Sequence, residues 1–171
     1  VNTVGAILAM LYGFLVENGY SRMYFQNKDQ EWRRSLFFSG QIFNIFCCFI
    51  FGTLTFIYAD KISVEVFKFP EGTNFLKLIT IVTLFKVLTY IPMNNIRNRG
   101  KAKLYISINA GYLLVNTLLT IYFLVIRKLG VTGILYAHIL SGILELIVLY
   151  FFTWNQFNFR FSFLGLKTML A

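Results

Sequence analysis

Charge is scarce in this sequence. Only 13% of its 171 residues are Asp, Glu, Lys or Arg, about half of the roughly 25% typical of a soluble domain, and long apolar runs separate them. That shortage excludes an ordinary water-soluble globule and argues for an integral membrane protein, in keeping with 57% hydrophobic and 19% aromatic residues. Acid is scarcer than base, with 7 Asp and Glu against 16 Lys and Arg and a net charge of +9. Such an excess can mark nucleic-acid binding, but here the basic residues come in short clusters between apolar spans and form no continuous basic surface. They fit topology signals and contacts with lipid headgroups, so membrane lipids are expected partners and nucleic acid is not. One histidine and two cysteines leave no set at metal-ligand spacing. Cys47 and Cys48 are adjacent inside an apolar run, where they fit small packing residues. The segments between the runs hold no histidine and no recurring acid cluster. An integral-membrane enzyme, such as a glycan polymerase or an acyltransferase, would draw its base or nucleophile from such groups, so an enzyme is not expected.

What the sequence does have is apolar runs bounded by charge. The chain opens on Val1 and stays uncharged until Glu17, with no basic leading segment and no small-residue cleavage site, so it is expected to be the tail of a span and not a signal peptide. The predicted fold is all-α, a polytopic transmembrane helical bundle of about five spans in a single domain over 1–171. The spans fall at about 1–18, 35–59, 76–96, 104–126 and 131–153. The third shows the pattern most clearly. Leu78 to Ile96 is long enough to cross a hydrocarbon core of roughly 30 Å at about 1.5 Å per residue, and Lys86 is its only charge. Arg97, Arg99, Lys101 and Lys103 follow at once and are expected to form a basic gate on the cytoplasmic side, where short Lys- and Arg-rich loops remain. If the spans alternate, one side holds Arg22, Lys28, Arg33, Arg34, Arg97, Arg99, Lys101, Lys103, Arg160 and Lys167. The other holds Lys61, Lys68, Lys77, Arg127 and Lys128. This two-to-one bias agrees with the orientation drawn from the third span alone.

The spans carry polar residues at helical spacing. Gln41, Asn44, Cys48, Gly52 and Thr55 share one face of the second. Thr83, Lys86, Tyr90, Asn94 and Arg97 share one of the third, Tyr105, Asn109, Tyr112, Asn116 and Thr120 one of the fourth, and His138, Ser141 and Glu145 one of the fifth. Four such faces predict a bundle around a hydrated interior, with Phe- and Leu-rich faces turned to lipid. Taken singly, the Asn, Ser and Thr residues also fit hydrogen-bonding glue between helices. Lys86 lies roughly 13 to 16 Å from either flank at about 1.5 Å per residue, too deep for its side chain to reach the surface fully. A residue of this kind faces a cavity or a partner, unless the span starts later and Lys86 lies near the outer interface. Glu145 is the one acid inside a span and the candidate partner. The pair is compatible with a structural contact, a substrate contact or a coupling proton. His138 fits either a packing residue or a relay. Pro92 removes one helical hydrogen bond and predicts a kink in the third span. Gly133, Ala137 and Ser141 form a small-residue stripe for close helix contact.

Three stretches together resemble a known family. They are the basic turn followed by a tyrosine from Arg97 to Tyr105, the Gly130-Val131-Thr132-Gly133 turn with Ala137 and Ser141 behind it, and ENGYSRMYF from Glu17 to Phe25. In that order and spacing they are similar to the polysaccharide-transporter, or O-antigen flippase, branch of the multidrug/oligosaccharidyl-lipid/polysaccharide exporter superfamily. The closing LGLKTMLA is similar to the amphipathic lead-in to that family's seventh helix. The resemblance implies two six-helix lobes around a central cavity, usually with two further helices, and this chain would supply helices two to six of the N-terminal lobe. It implies alternating-access transfer of undecaprenyl-pyrophosphate-linked oligosaccharide across the bacterial cytoplasmic membrane, with basic cavity residues engaging the pyrophosphate and other polysaccharide-assembly proteins as further partners. Carried over by position, Arg22 matches the family's basic site at the end of helix two; Lys86 has no assigned counterpart. The expected cavity set is therefore Arg22, Lys86, Tyr90, Asn94, Asn109, Asn116, His138 and Glu145. No cofactor or metal is expected, with Na+ or H+ as the coupling ion that would fit. Within the same superfamily, a cation-coupled drug antiporter or a lipid II flippase is the nearest alternative.

Overall fold

The computed structural model describes residues 2–13, 16–27, 29–66, 72–157 and 161–170. Of the basic residues weighed for topology, Lys28, Lys68 and Arg160 lie outside these. The described residues are 92% helical with no strands. In chain order the helices are α1 (Asn2–Gly13), α2 (Val16–Gln26), α3 (Gln30–Ile57), a short α4 (Ala59–Lys61) running into a π-turn over Ile62–Val66, α5 (Thr73–Asn98), α6 (Ala102–Ile121) continued by a π-turn over Tyr122–Ile126, α7 (Gly130–Thr153) and α8 (Phe163–Leu170).

Four helices among the described residues are long and apolar enough to cross a membrane, over Gln30–Ile57, Thr73–Asn98, Ala102–Ile126 and Gly130–Gln156. This is consistent with a multi-pass membrane protein. The expected first span is not among them. Residues 1–18 divide between α1 and the start of α2, with Phe14 and Leu15 outside the described residues, and α1 ends at Gly13 after 12 residues.

Helix limits follow local chemistry. Asp29 caps α3, its carboxylate accepting from the Glu31 N–H at 3.1 Å, so one orphan donor of the first turn is satisfied by a side chain. The α5–α6 turn is made at Gly100, whose φ of +72 is a left-handed value that costs glycine nothing. Between α6 and α7 the left-handed positions are Lys128 and Gly130. Here Gly133 is required for a different reason: a Cβ on it would stand 3.0 Å from the Phe123 Cβ and 3.2 Å from the Phe123 carbonyl. The small-residue stripe is thus the seam of the α6–α7 hairpin, with Ala137 and Ser141 buried behind Gly133.

The core lies along α5, which packs against α1, α3 and α7. Helix α5 runs through the buried Pro92. Proline has no N–H, so the Leu88 carbonyl one turn earlier loses its helical donor. Gln41 on α3 replaces that donor, its amide nitrogen reaching the Leu88 carbonyl at 3.3 Å and also the Tyr150 hydroxyl on α7. Asn44, one turn along α3, donates to the adjacent Val87 carbonyl at 2.9 Å. The polar face of α3 is therefore packing glue and not part of a hydrated interior. Gln41, Asn44, Cys48, Gly52 and Thr55 are all buried, and Gly52 leaves room for Leu84 of α5. The physical reason is that freed backbone groups in a membrane must be satisfied by neighbouring helices.

A second core joins α2, α3 and α8 around Tyr20, Leu36, Phe37, Ile91, Leu166 and Met169. Gly19 makes this docking possible, because a Cβ there would fall on the Met169 backbone carbonyl. Tyr20 accepts from the Asn95 amide at 2.6 Å, and Ser21 from the Asn98 amide at 3.3 Å, tying α2 to the C-terminal end of α5. Outside these cores many large apolar side chains are exposed. Phe49 on α3, Leu118 on α6 and Phe151 on α7 are 73%, 66% and 77% exposed, as suits faces turned to acyl chains and not to water.

If Gln41 serves mainly to satisfy the carbonyl that Pro92 frees, the two residues are energetically coupled. Gln41→Leu should lower stability by about 0.6 to 1.7 kcal/mol, the range of interhelical hydrogen bonds in membranes. In a Pro92→Ala background, where residue 92 regains an N–H for Leu88, the same change should cost less by about 0.5 kcal/mol or more. Equilibrium unfolding of the four variants in mixed micelles measures the difference, and equal costs in both backgrounds would sink the coupling.

Candidate functional site

A groove of about 570 Å³ opens between α1, α5, α6 and α7. Its longest wall is the polar face of α5. Thr83, Lys86, Tyr90, Asn94 and Arg97 all line it, a stripe of roughly 21 Å at about 1.5 Å per residue. The stripe runs from the middle of the helix to the basic turn. Helix α6 contributes Tyr105, Asn109 and Tyr112, α7 contributes Leu135, His138, Gly142 and Glu145, and α1 contributes Gly5 and Ala6.

Helix packing explains why the groove exists. Helix α6 pairs closely with α7 and only lightly with α5, and Ile108 is its one buried residue among those described. The α6–α7 hairpin is closed by hydrogen bonds across its seam. The Ser141 hydroxyl is placed to donate to Asn116 Oδ1 at 3.1 Å or to the Ala137 carbonyl at 2.8 Å, and the Tyr112 hydroxyl lies 3.3 Å from His138 Nδ1. On the other side α7 packs against α5. Helix α7 is therefore shared by both neighbours, and the space between α5 and α6 stays open.

Lys86 stands midway along α5 and is exposed into the groove. Its charge acts on both His138 and Glu145 of the facing helix, without a direct ion pair to Glu145 among the described residues. Helix α5 begins at Thr73, so more than three turns of helix precede Lys86. A cation and an acid are thus held across one polar hollow, each partly free to meet something else there. Tyr90, Tyr105 and Tyr112 with Asn94 and Asn109 add hydroxyl and amide groups of the kind that both donate and accept.

Of the expected cavity residues, Lys86, Tyr90, Asn94, Asn109, His138 and Glu145 are brought together on this groove. Asn116 is not. It sits higher on the hairpin seam, where it accepts from Ser141. Arg22 also lies elsewhere, exposed on α2, because α2 turns its buried face to α3, α5 and α8. In the basic gate only Arg97 reaches the groove. Lys101 and Lys103 are exposed at the turn, and the charge of Arg99 acts on Tyr20.

No family model, curated protein or solved structure matches this chain. The arrangement must be judged on its own chemistry. It joins a hollow of ligand size, about 300 to 1,000 Å³ being usual, with a cation midway along α5, a second cation near the end of that helix, one acid, and a band of tyrosine and asparagine between them. No group of three or more His, Cys, Asp or Glu able to hold a metal occurs among the described residues.

Sequence periodicity missed the fourth wall. Gly5 and Ala6 carry no polar signal, and only the packing of α1 on α5 brings them to the groove. It also missed Gly142, where a Cβ would stand 3.3 Å from Phe85, so that its smallness lets α5 and α7 approach beside Glu145.

If the groove holds water, a thiol at position 86 is accessible to polar reagents. In a background lacking Cys47 and Cys48, Lys86→Cys should react readily with a membrane-impermeant maleimide in reconstituted vesicles, whereas Phe49→Cys on the lipid face should not. Equal protection of both positions would mean that the hollow is filled.

Proposed function

We propose that the chain is part of a transporter that moves undecaprenyl-pyrophosphate-linked oligosaccharide across the bacterial cytoplasmic membrane by alternating access, for polysaccharide, O-antigen or capsule biosynthesis. The observation that carries this reading is the single groove in which Lys86, Arg97, Glu145 and His138 share a wall-to-wall hollow with Tyr90, Asn94 and Asn109. A lipid-linked oligosaccharide has three chemical parts, and the groove suits two of them. Its pyrophosphate carries negative charge at the membrane surface, where Arg97 stands at the basic turn. A guanidinium offers paired donors to phosphate oxygens. Its sugars present hydroxyl groups that both donate and accept, as tyrosine and asparagine side chains do. The apolar tail would remain in the lipid outside the light contact between α5 and α6.

The order of residues along α5 supports the same reading. Arg97 stands at the end flanked by Arg99, Lys101 and Lys103, and Lys86 lies roughly 16 Å deeper at about 1.5 Å per residue. A headgroup entering from the basic side would meet one cation at the mouth and a second at mid-membrane depth. Lys86 with no direct ion pair to Glu145 can contact substrate when the groove is filled and turn back toward the acid when it is empty. On this reading Na+ or H+ is the coupling ion, the chain is not an enzyme, and other polysaccharide-assembly proteins are its partners.

Glu145 favours a second reading, a cation-coupled drug antiporter of the same superfamily, because it places an acid in the groove. Two cations against one acid on the lining tilt the balance to an anionic substrate. Lys86→Ala in the complete protein separates these readings. Surface glycan export at normal protein level should fall by about tenfold or more, as expected for loss of one charge-assisted contact, while Glu145→Ala would be the damaging change for a cationic drug. Unchanged export by the Lys86 variant would remove the role assigned to that residue.

A further inference from the structure

A second groove lies at the opposite end of the bundle. It has a volume of about 360 Å³ and is lined by residues of α1, the last two turns of α3 and the π-turn after α4. It stands a whole span away from the α3 end flanked by Arg33 and Arg34, since α3 runs 28 residues, or roughly 42 Å at about 1.5 Å per residue. It therefore meets the membrane surface opposite the basic turn. Nothing in the proposed transport cycle uses it.

Its floor offers carbon and almost nothing else. The polar atoms there satisfy one another: the Tyr12 hydroxyl donates to Thr55 Oγ1 at 2.9 Å, and Thr55 donates in turn to the Phe51 carbonyl at 2.7 Å. Phe51, Leu54 and Ile62 supply the apolar lining. At the rim stand two charges of opposite sign, Lys61 and Glu65, one helical turn apart and both exposed. The Lys61 ammonium lies 5.9 Å from the centre of the Tyr58 ring, and Tyr58 is itself 48% exposed, the placement of an interfacial aromatic at headgroup level.

We propose that this groove is a binding site for a zwitterionic phospholipid bearing a primary ammonium, of the phosphatidylethanolamine type. An acyl chain lies along Phe51, Leu54 and Ile62, the phosphate meets Lys61, and the headgroup ammonium meets Glu65. The chemistry selects among lipids. An anionic glycerol headgroup satisfies Lys61 but leaves Glu65 facing a group with no positive charge, and a choline headgroup has charge but no N–H to donate to the carboxylate. The lipid would bridge α1, the end of α3 and the π-turn over Ile62–Val66.

The site is tested on the purified full chain, delipidated in detergent and titrated with phosphatidylethanolamine, phosphatidylcholine or phosphatidylglycerol, with retained lipid counted by native mass spectrometry. Phosphatidylethanolamine should be held about fivefold more strongly than either of the others, the scale of one charge contact at a membrane surface. Glu65→Gln should erase its advantage over phosphatidylglycerol, Lys61→Gln should weaken retention of all three, and Lys128→Gln, at another exposed turn, should change nothing. Both site residues are exposed, so these variants are expected to fold. Equal retention of the three lipids by the unaltered chain, or an unchanged preference in both site variants, would overturn the assignment.

Discussion

A backbone carbonyl without a donor is the constraint on which this bundle is built. Pro92 leaves the Leu88 carbonyl without its helical partner in the middle of an apolar helix, where water is not at hand to replace it. The chain answers from a neighbouring helix: Gln41 donates to Leu88, and Asn44 to Val87 beside it. Because the Gln41 amide also donates to Tyr150, one side chain links α3, α5 and α7. The hydrophobic effect does not hold helices together in lipid as it does in water, so such specific bonds and the fit of small residues carry the association. Gly52 under Leu84, Gly142 beside Phe85 and Gly133 against Phe123 provide that fit.

Once α3 and α7 are fixed to α5 in this way, the groove follows. Helix α7 holds α6 by its small-residue seam, and α6 has few other neighbours. The polar face of α5 that does not meet α3 is left looking across open space to His138 and Glu145. The two polar faces of the third and second spans therefore have different fates. One is consumed in satisfying backbone groups, and the other lines a hollow. The lysine midway along α5 is tolerable in so apolar a helix because polar groups and space surround it.

Much of this was legible in the chain before any coordinates. The low charge and the long apolar runs announced helices of membrane length, and four of the expected spans correspond to α3, α5, α6 and α7. The stripe from Thr83 to Arg97 could be drawn from spacing alone, since positions three and four apart share a helix face. What spacing could not tell was which stripes face one another. Gln41 and Asn44 have the same periodicity as Lys86 and Tyr90, and their separation into glue and lining depends on where Pro92 falls against α3. A signal was present: the carbonyl four residues before a membrane proline requires a donor, and an amide on a neighbouring span is a natural source. Likeness to a family motif predicts Arg22 in the cavity, but the docking of α2 against α8 through Gly19 keeps it apart from the groove lining.

The sequence by itself determined that the chain is helical, that it holds four runs long and apolar enough to span a membrane as helices, and which residues share each helix face. These properties are local, set by composition and by the 3.6-residue period of the helix. Only the tertiary structure decided that Lys86, His138 and Glu145 meet across one hollow while Asn116 and Arg22 stand outside it. Such a meeting depends on the rotation and approach of whole helices, which are governed by contacts between residues distant along the chain, as Gln41 and Tyr150 are.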